Sequence, residues 1–380
     1  MRILVTTSPL YGHFFPMLPL IRAALTAGHE VVVATGPDLA AEVHRRNLTL
    51  WQVGPSMKDV LAGIAGRPAD PTADPAAALR RDAMAYFGEP GIARARELMP
   101  LATAAPPDVV IHEQSDFAGW EIAAALDVVG IPHGYGPHLP FTRLLVQLIF
   151  AEAAARLGAP DRSPRIAEVV YVDPWPASLQ SGEEVIYPRV QPVRPEPELA
   201  PAGAMLPRSV LDLPYSTTVY ATFGTVFTGA DSLLTVIDAV RELDVNLVVT
   251  TGHDVDPESL GSLPAHVVAV PFIPQSLLLT RCSAVVSHAG SGTVLGALAE
   301  RLPQVCLPVG ADQFANADRI ARQGAGITVP PDARTPETVR AALLSVLRDP
   351  SFATAAARLQ SEVERMPPAA EVLPTLLATA

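Results

Sequence analysis

The chain has 380 residues, with 27 Lys plus Arg against 39 Asp plus Glu, a formal net charge of −12, 49% hydrophobic residues and 17% charged. Such a composition excludes a disordered chain, and the acidic balance argues against a nucleic-acid binder, which needs a basic surface to displace counterions. At roughly 100–200 residues per domain, the length suggests two domains. Lys58 is the only lysine, so there is no Gly-Lys-Ser/Thr phosphate loop, and Schiff-base chemistry would have to use a lysine in a loop-like stretch. Cys282 and Cys306 lie in apolar runs and read as small core residues of a protein from a reducing compartment. No apolar run reaches the roughly 18 residues of a membrane-spanning helix, and the N-terminal run does not read as a signal peptide, so a cytoplasmic location is expected.

In chain order, residues 3–7 predict a strand, 8–15 a loop, 16–27 a helix entered at Pro16 and stopped by Gly28, and 31–34 a second strand. Apolar runs at 109–112 and 128–131 continue the same sheet. Their apolar character is continuous rather than alternating, as in a parallel sheet covered on both faces. Residues 70–107 and 134–185 are rich in Ala, Pro and aromatics and read as partly helical insertions that shape a pocket. Seven prolines between 188 and 214 (188, 192, 195, 197, 201, 207, 214) exclude helix and sheet interior and predict a semi-rigid linker. Beyond it, strands at 218–223, 246–250, 267–270, 284–287 and 305–307 alternate with helices at 232–243, 275–282, 293–301, 316–323, 335–347 and 351–365. The whole reads as an α/β chain of two Rossmann-like parallel-sheet domains.

Several motifs sit at the carboxyl ends of these strands, where open α/β sheets bind ligands. In Ser287-His-Ala-Gly-Ser-Gly-Thr293 a strand ends in His288, and Gly290 and Gly292 open a helix. Glycines there let a phosphate approach the backbone, and the helix N-terminus offers donors and a favourable dipole. A tight turn with a helix cap explains the same pattern equally well. Phe223-Gly-Thr225 places Gly224 and Thr225 at another strand end, as an anion contact or a turn. Phe272, flanked by Pro271 and Pro274, is either a platform for a base or an ordinary core residue. Asp312 and Gln313, with Asn316 a turn later, read as a helix cap or as a carboxylate and amide for sugar hydroxyls. His13, between the first strand and its helix, belongs to the residue type best suited to general-base work. Glu113 closes the 109–112 strand and is placed to hold the His13 tautomer, as the third member of a triad does. His112-Glu113 lacks the second histidine of a zinc-binding HExxH, and no metal is expected.

Taken together and in this order, the motifs resemble the GT-B glycosyltransferases of family 1, most closely the bacterial branch that glycosylates macrolides, enediynes and other polyketides. The resemblance runs through Gly12–Pro16, the proline-rich linker, Phe272–Gln275, Ser287–Thr293, Asp312–Ala317 and Met366-Pro-Pro-Ala-Ala-Glu-Val372. It implies two Rossmann-like domains facing a central cleft. An acceptor-binding domain with its linker would span 1–205, a nucleotide-sugar domain 206–363, and a C-terminal helix returning to the first domain 364–380. It further implies that Phe272 stacks on the base and Ile273 bonds it through the backbone. His288, Gly224, Thr225, Gly290, Ser291, Gly292 and Thr293 would surround the diphosphate, Asp312 and Gln313 the sugar. His13 would deprotonate the acceptor, with Glu113 as its partner and Asp312 as an alternative one. Ala289, Phe272 and Ile273 depart mildly from the family's commoner Gly, Trp and Val.

The implied reaction is inverting transfer of a deoxysugar from a TDP- or UDP-sugar to a hydroxyl of a hydrophobic natural-product acceptor, with no metal, no cofactor, no nucleic acid and no membrane span. A homodimer is compatible with the sequence. Three rival readings stand beside it: a nucleotide-sugar epimerase on the same fold, a C-glycosyltransferase, and a non-catalytic helper of another transferase.

Overall fold

The computed structural model describes the chain except for residues 67–73, 140–144, 181–185, 198–199, 201–202, 225–229, 253–254 and 379–380. It divides into two compact units. The first comprises Met1–Trp175, Ser181–Arg194 and Pro367–Ala380, the second Pro176–Gln180 and Pro195–Met366.

The first unit is built on a parallel sheet of β1 (Arg2–Thr6), β2 (Glu30–Thr35), β3 (Thr49–Gln52), β4 (Val109–Glu113), β5 (Val129–His133), β6 (Val170–Asp173) and β7 (Arg189–Pro192), in the order β3-β2-β1-β4-β5-β6-β7. Alternate residues of β1 enter two different cores. Ile3 and Val5 pack with Phe14, Met17, Leu20 and Ile21 and with Val372, Leu373 and Leu376 of the C-terminal helix Ala369–Leu377. Leu4 packs on the opposite face with Val110, Leu98 and Ile122. Burying a large aliphatic side chain stabilises by about 1.5–3 kcal/mol, so the three apolar anchors of the C-terminal helix tie the chain end to this unit. Four strands escaped the sequence pattern. Three of them, β3, β6 and β7, belong here, and β3 and β7 are largely exposed sheet edges. β7 ends in Pro192 inside the proline-rich stretch, which an edge strand tolerates because its missing N–H faces no neighbour. The segment expected as a loop before Pro16 is mostly helical: α1 (Tyr11–Phe14) runs into a 3-10 turn Phe15–Met17 and then α2 (Leu18–Thr26). The Leu10 carbonyl accepts from His13 N at 3.1 Å and Phe14 N at 3.0 Å, and the buried Phe14 ring holds the turn on the core.

The opposite face of the sheet carries α3 (Glu89–Ala104) and α4 (Phe117–Ala125). The second unit repeats the plan with β8 (Thr218–Thr222), β9 (Asn246–Thr250), β10 (Val267–Val270), β11 (Ala284–Ser287), β12 (Gln304–Cys306) and the unanticipated three-residue β13 (Gly326–Thr328), ordered β10-β9-β8-β11-β12-β13. One face packs on α5 (Ala230–Val240), the other carries α6 (Ser291–Ala299). Then follow α7 (Gln313–Arg322), α8 (Pro336–Arg348), which joins α5 on its face, and α9 (Pro350–Arg365). In both sheets the order reverses direction beside the first strand, between β1 and β4 and between β8 and β11. That reversal parts the two connecting loops and opens a crevice at the strand ends.

Candidate active site

In the first unit the crevice is occupied by His13 and Glu113. Thr6 pairs with His112, so β1 and β4 end level and bring residues 100 positions apart to the same place. His13 Nδ1 lies 2.9 Å from Glu113 Oε2, with Glu113 fully buried and the imidazole 13% exposed. The second carboxylate oxygen, Oε1, accepts from both the backbone N–H and the hydroxyl of Ser115. Two donors thus occupy Oε1, which leaves Oε2 to face His13 Nδ1. With Glu113 as the acceptor, His13 Nδ1 carries the proton and Nε2 keeps its lone pair, the tautomer a base requires. Tyr135 stacks on the imidazole, ring centres 3.8 Å apart and planes 17° from parallel, and its hydroxyl lies 3.4 Å from Ser115 Oγ. Neither Ser115 nor Tyr135 carried a sequence signal.

Behind this group, Asp116 caps α4 through Gly119 N at 3.3 Å and accepts Arg94 Nε and Nη2 at 2.9 and 2.8 Å. Both side chains are buried, so the pair fixes the 113–116 turn from within the core. Burial also sets the protonation of the surroundings. His133 is pushed down to about 4, and His112 downward, by loss of solvent. Tyr86 and Tyr187 are raised by burial first and by the Glu113 charge second.

In the second unit His288 follows β11 and is nearly buried. A Cβ on Gly224 would lie 2.9 Å from its ring, and one on Gly290 2.5 Å from Nε2, so the imidazole fits between two glycines where no side chain could stand. Burial pushes His288 down to about 4, against an upward pull from the Thr222 backbone. Its ring is neutral at pH 7. Ala289 adopts a left-handed φ of 63°. Its N–H donates to Ser287 Oγ at 3.1 Å.

Helix α6 begins at Ser291, two residues earlier than the sequence pattern indicates. Among the described residues, Ser291 Oγ and His288 Nδ1 are buried without a partner. Thr293 is buried in the same first turn, while Gly292 is exposed, with nothing within 4 Å of where its Cβ would stand. Unpaired N–H groups of this turn, two orphaned side-chain atoms and open space above Gly292 suit an anion. Thr225 lies outside the described residues.

Phe272, just past β10, is 57% exposed, an uncommon state for so large an apolar ring, while Ile273 is buried among Tyr220, Val248 and Leu278. Core packing therefore accounts for the Ile273 side chain and not for Phe272. Asp312 is not a side-chain cap, because its backbone is already helical and its carboxylate makes no cap bond. Its Oδ2 accepts from Asn316 Nδ2 at 2.9 Å. Gln313 is buried, and its Oε1 accepts from Val309 N and Gly310 N at 2.8 and 3.0 Å, holding the loop after β12. Among the described residues no three His, Cys, Asp or Glu gather into a group that would hold a metal, and no helix is long and apolar enough to cross a membrane.

A family model described as the C-terminal domain of erythromycin biosynthesis protein CIII-like proteins matches residues 234–379. The elloramycin glycosyltransferase of Streptomyces olivaceus is 33% identical over 98% of this chain and 96% of its own. Among solved structures, the glycosyltransferase SnogD from Streptomyces nogalater is 28% identical, with a TM-score of 0.82 over 100% of both chains. The spinosyn rhamnosyltransferase SpnG, solved with thymidine diphosphate, is 26% identical, with a TM-score of 0.78 over 99% of this chain and 100% of that one. The chain belongs to the bacterial natural-product glycosyltransferases, nucleotide-sugar-dependent enzymes of the GT-B fold.

Proposed function

We propose that the protein moves a deoxysugar from a TDP-sugar to a hydroxyl of a hydrophobic polyketide-type acceptor, with inversion at the anomeric carbon and without a metal. The observation that carries this reading is the 2.9 Å bond between His13 Nδ1 and a buried, fully hydrogen-bonded Glu113. Nε2 takes the acceptor hydroxyl's proton as that oxygen bonds to the anomeric carbon. The bond from that carbon to the diphosphate oxygen breaks, and TDP leaves with the electron pair. Glu113 stabilises the imidazolium without taking its proton. In the second unit, the α6 N-terminus, Ser291, Thr293 and neutral His288 donate to the diphosphate, whose charge grows as it leaves. Phe272 stacks on the base, with the backbone of Ile273 beside it, and Asp312 and Gln313 meet the sugar. TDP is preferred over UDP because a similar protein, the spinosyn rhamnosyltransferase, was solved with thymidine diphosphate.

The test pairs binding with turnover. Native and His13→Ala proteins are titrated calorimetrically with TDP and UDP, then assayed for transfer from TDP-deoxysugars to a panel of polyketide aglycones. TDP should bind both proteins, and transfer should fall by a factor of about 10² or more in the variant. Normal turnover by His13→Ala would remove the base assignment. Binding of neither nucleotide would remove the donor site.

A further inference from the structure

Two loops of the second unit meet at one side chain, Asn316, to which the chemistry above gives no task. Asn316, in the first turn of α7, is fully buried. Its Nδ2 donates to the Ala289 carbonyl at 2.9 Å and to Asp312 Oδ2 at 2.9 Å. Both partners are acceptors, which fixes the orientation of the amide. The loop after β11 is thereby tied to the loop after β12 through a single NH2 group.

Each tied loop contains an alanine in the left-handed region, Ala289 at φ 63° and Ala311 at φ 52°. For an alanine this conformation is unfavourable and persists only where its surroundings enforce it. At Ala289 the enforcement is visible. Its N–H is held by Ser287 Oγ and its carbonyl by Asn316. The next residue is Gly290, which lies against the His288 ring too closely for any Cβ. If Ala289 relaxed to negative φ, Gly290 and the start of α6 would move with it.

Resting on the donor-site reading above, we infer that Asn316 is a positioning residue that locks the diphosphate loop in its left-handed form and fixes the carboxylate of Asp312 for the sugar. It acts through Ala289 and Asp312, and contacts neither ligand itself. The two tasks are separable. A glycine at 289 adopts φ near +60° without steric cost, so it needs no lock. Nothing at 289 replaces the bond to Asp312.

Calorimetry with TDP and with TDP-glucose as probes, on native protein, Asn316→Ala, Ala289→Gly and the double variant, tests the assignment. Asn316→Ala should bind TDP about tenfold more weakly, the scale set by one alanine released from the left-handed region. Adding Ala289→Gly should restore TDP affinity to near native, while the extra affinity contributed by the glucose ring stays reduced. A purely structural role would lower the melting temperature without this split. Asn316→Leu keeps the volume and removes the donor without adding charge, so it serves if the alanine variant fails to fold, with the same expected loss and rescue. Native TDP affinity in either Asn316 variant, or a double variant that recovers none of it, would overturn the inference. If the native protein itself binds no TDP, the donor-site reading fails, and this inference with it.

Discussion

Glu113→Gln is the sharpest test of the first unit's chemistry, because the neighbours dictate how the amide must sit. Oε1 of Glu113 accepts two donors from Ser115, the backbone N–H and the hydroxyl, while Oε2 faces His13 Nδ1. A glutamine keeps its carbonyl on the Ser115 side, where two hydrogen bonds hold it. Turning over would break both and set NH2 against N–H, costing about 2–3 kcal/mol, or roughly a hundredfold in population. The amide NH2 therefore points at His13 Nδ1 and makes that nitrogen the acceptor. The ring proton moves to Nε2, and the base is lost. The carboxylate's stabilisation of the forming imidazolium disappears as well, about another tenfold. Together these predict a loss of kcat of about 10³-fold with folding intact, and TDP affinity should not change. Glu113→Ala, which imposes no tautomer, should be less impaired than the isosteric glutamine despite its larger cavity. The assay is single-turnover transfer with saturating donor, alongside TDP titration. A glutamine variant within tenfold of native, or one more active than the alanine, would refute the tautomer argument.

Three further predictions concern the second unit and the response to acid. Gly290→Ala puts a methyl about where His288 Nε2 stands, 2.5 Å away, so TDP affinity and melting temperature should both fall; an unchanged affinity would mean that His288 placement is irrelevant to the diphosphate. Gly292→Ala meets no atom within 4 Å and sits in a helix, where alanine is favoured over glycine by about 0.5–1 kcal/mol. Stability should hold or rise while TDP binding weakens, and unaltered TDP binding would show that no phosphate approaches there. His133 and His288, both near 4 in the fold against an ordinary 6.5, bind fewer protons folded than unfolded between those values. Their stabilising share is thus complete above pH 6.5 and is lost as pH falls toward 4, about 2 kcal/mol each by pH 5. Melting temperatures should drop across pH 7 to 5, less steeply in His288→Gln, and a flat profile would contradict the buried neutral state.

The sequence pattern reveals the strands whose apolar runs are continuous and bounded by turn residues. The runs at 246–250, 267–270 and 284–287 coincide with observed strands. It misses β3 and β7, edge strands that alternate weakly and are largely exposed, the three-residue β13, and the buried β6, whose short run lies in the stretch read as a partly helical insertion. The residues singled out for chemistry were legible because strand ends mark them. Their supporting residues were not. Ser115 and Tyr135 matter through which oxygen of Glu113 they leave for His13, and Asn316 through two acceptors on separate loops, facts of atom placement that no spacing encodes. Asp312 reads from its residue type as a helix cap or a sugar contact; it makes no cap bond, and its carboxylate accepts from Asn316 instead.

On the proposed reading, the two units use equivalent positions for opposite electrostatic purposes. In the first, the loop after β1 supplies a histidine and the end of β4 a carboxylate, 2.9 Å apart. In the second, the loop after β8 supplies a glycine and the end of β11 a histidine, which fits where a side chain would otherwise stand. His13 has the Glu113 carboxyl group at one nitrogen. His288 has none: its Nδ1 is buried without a partner, and burial holds it neutral. On the roles proposed above, a protein that accepts a proton from a hydroxyl and also holds a polyanion can use one residue type for both only by separating the environments. Placing a carboxylate beside His288 would charge it in advance, and that carboxylate would also repel the diphosphate. The glycines at 224 and 290 resolve this, admitting the ring close to the backbone without bringing any charge with it.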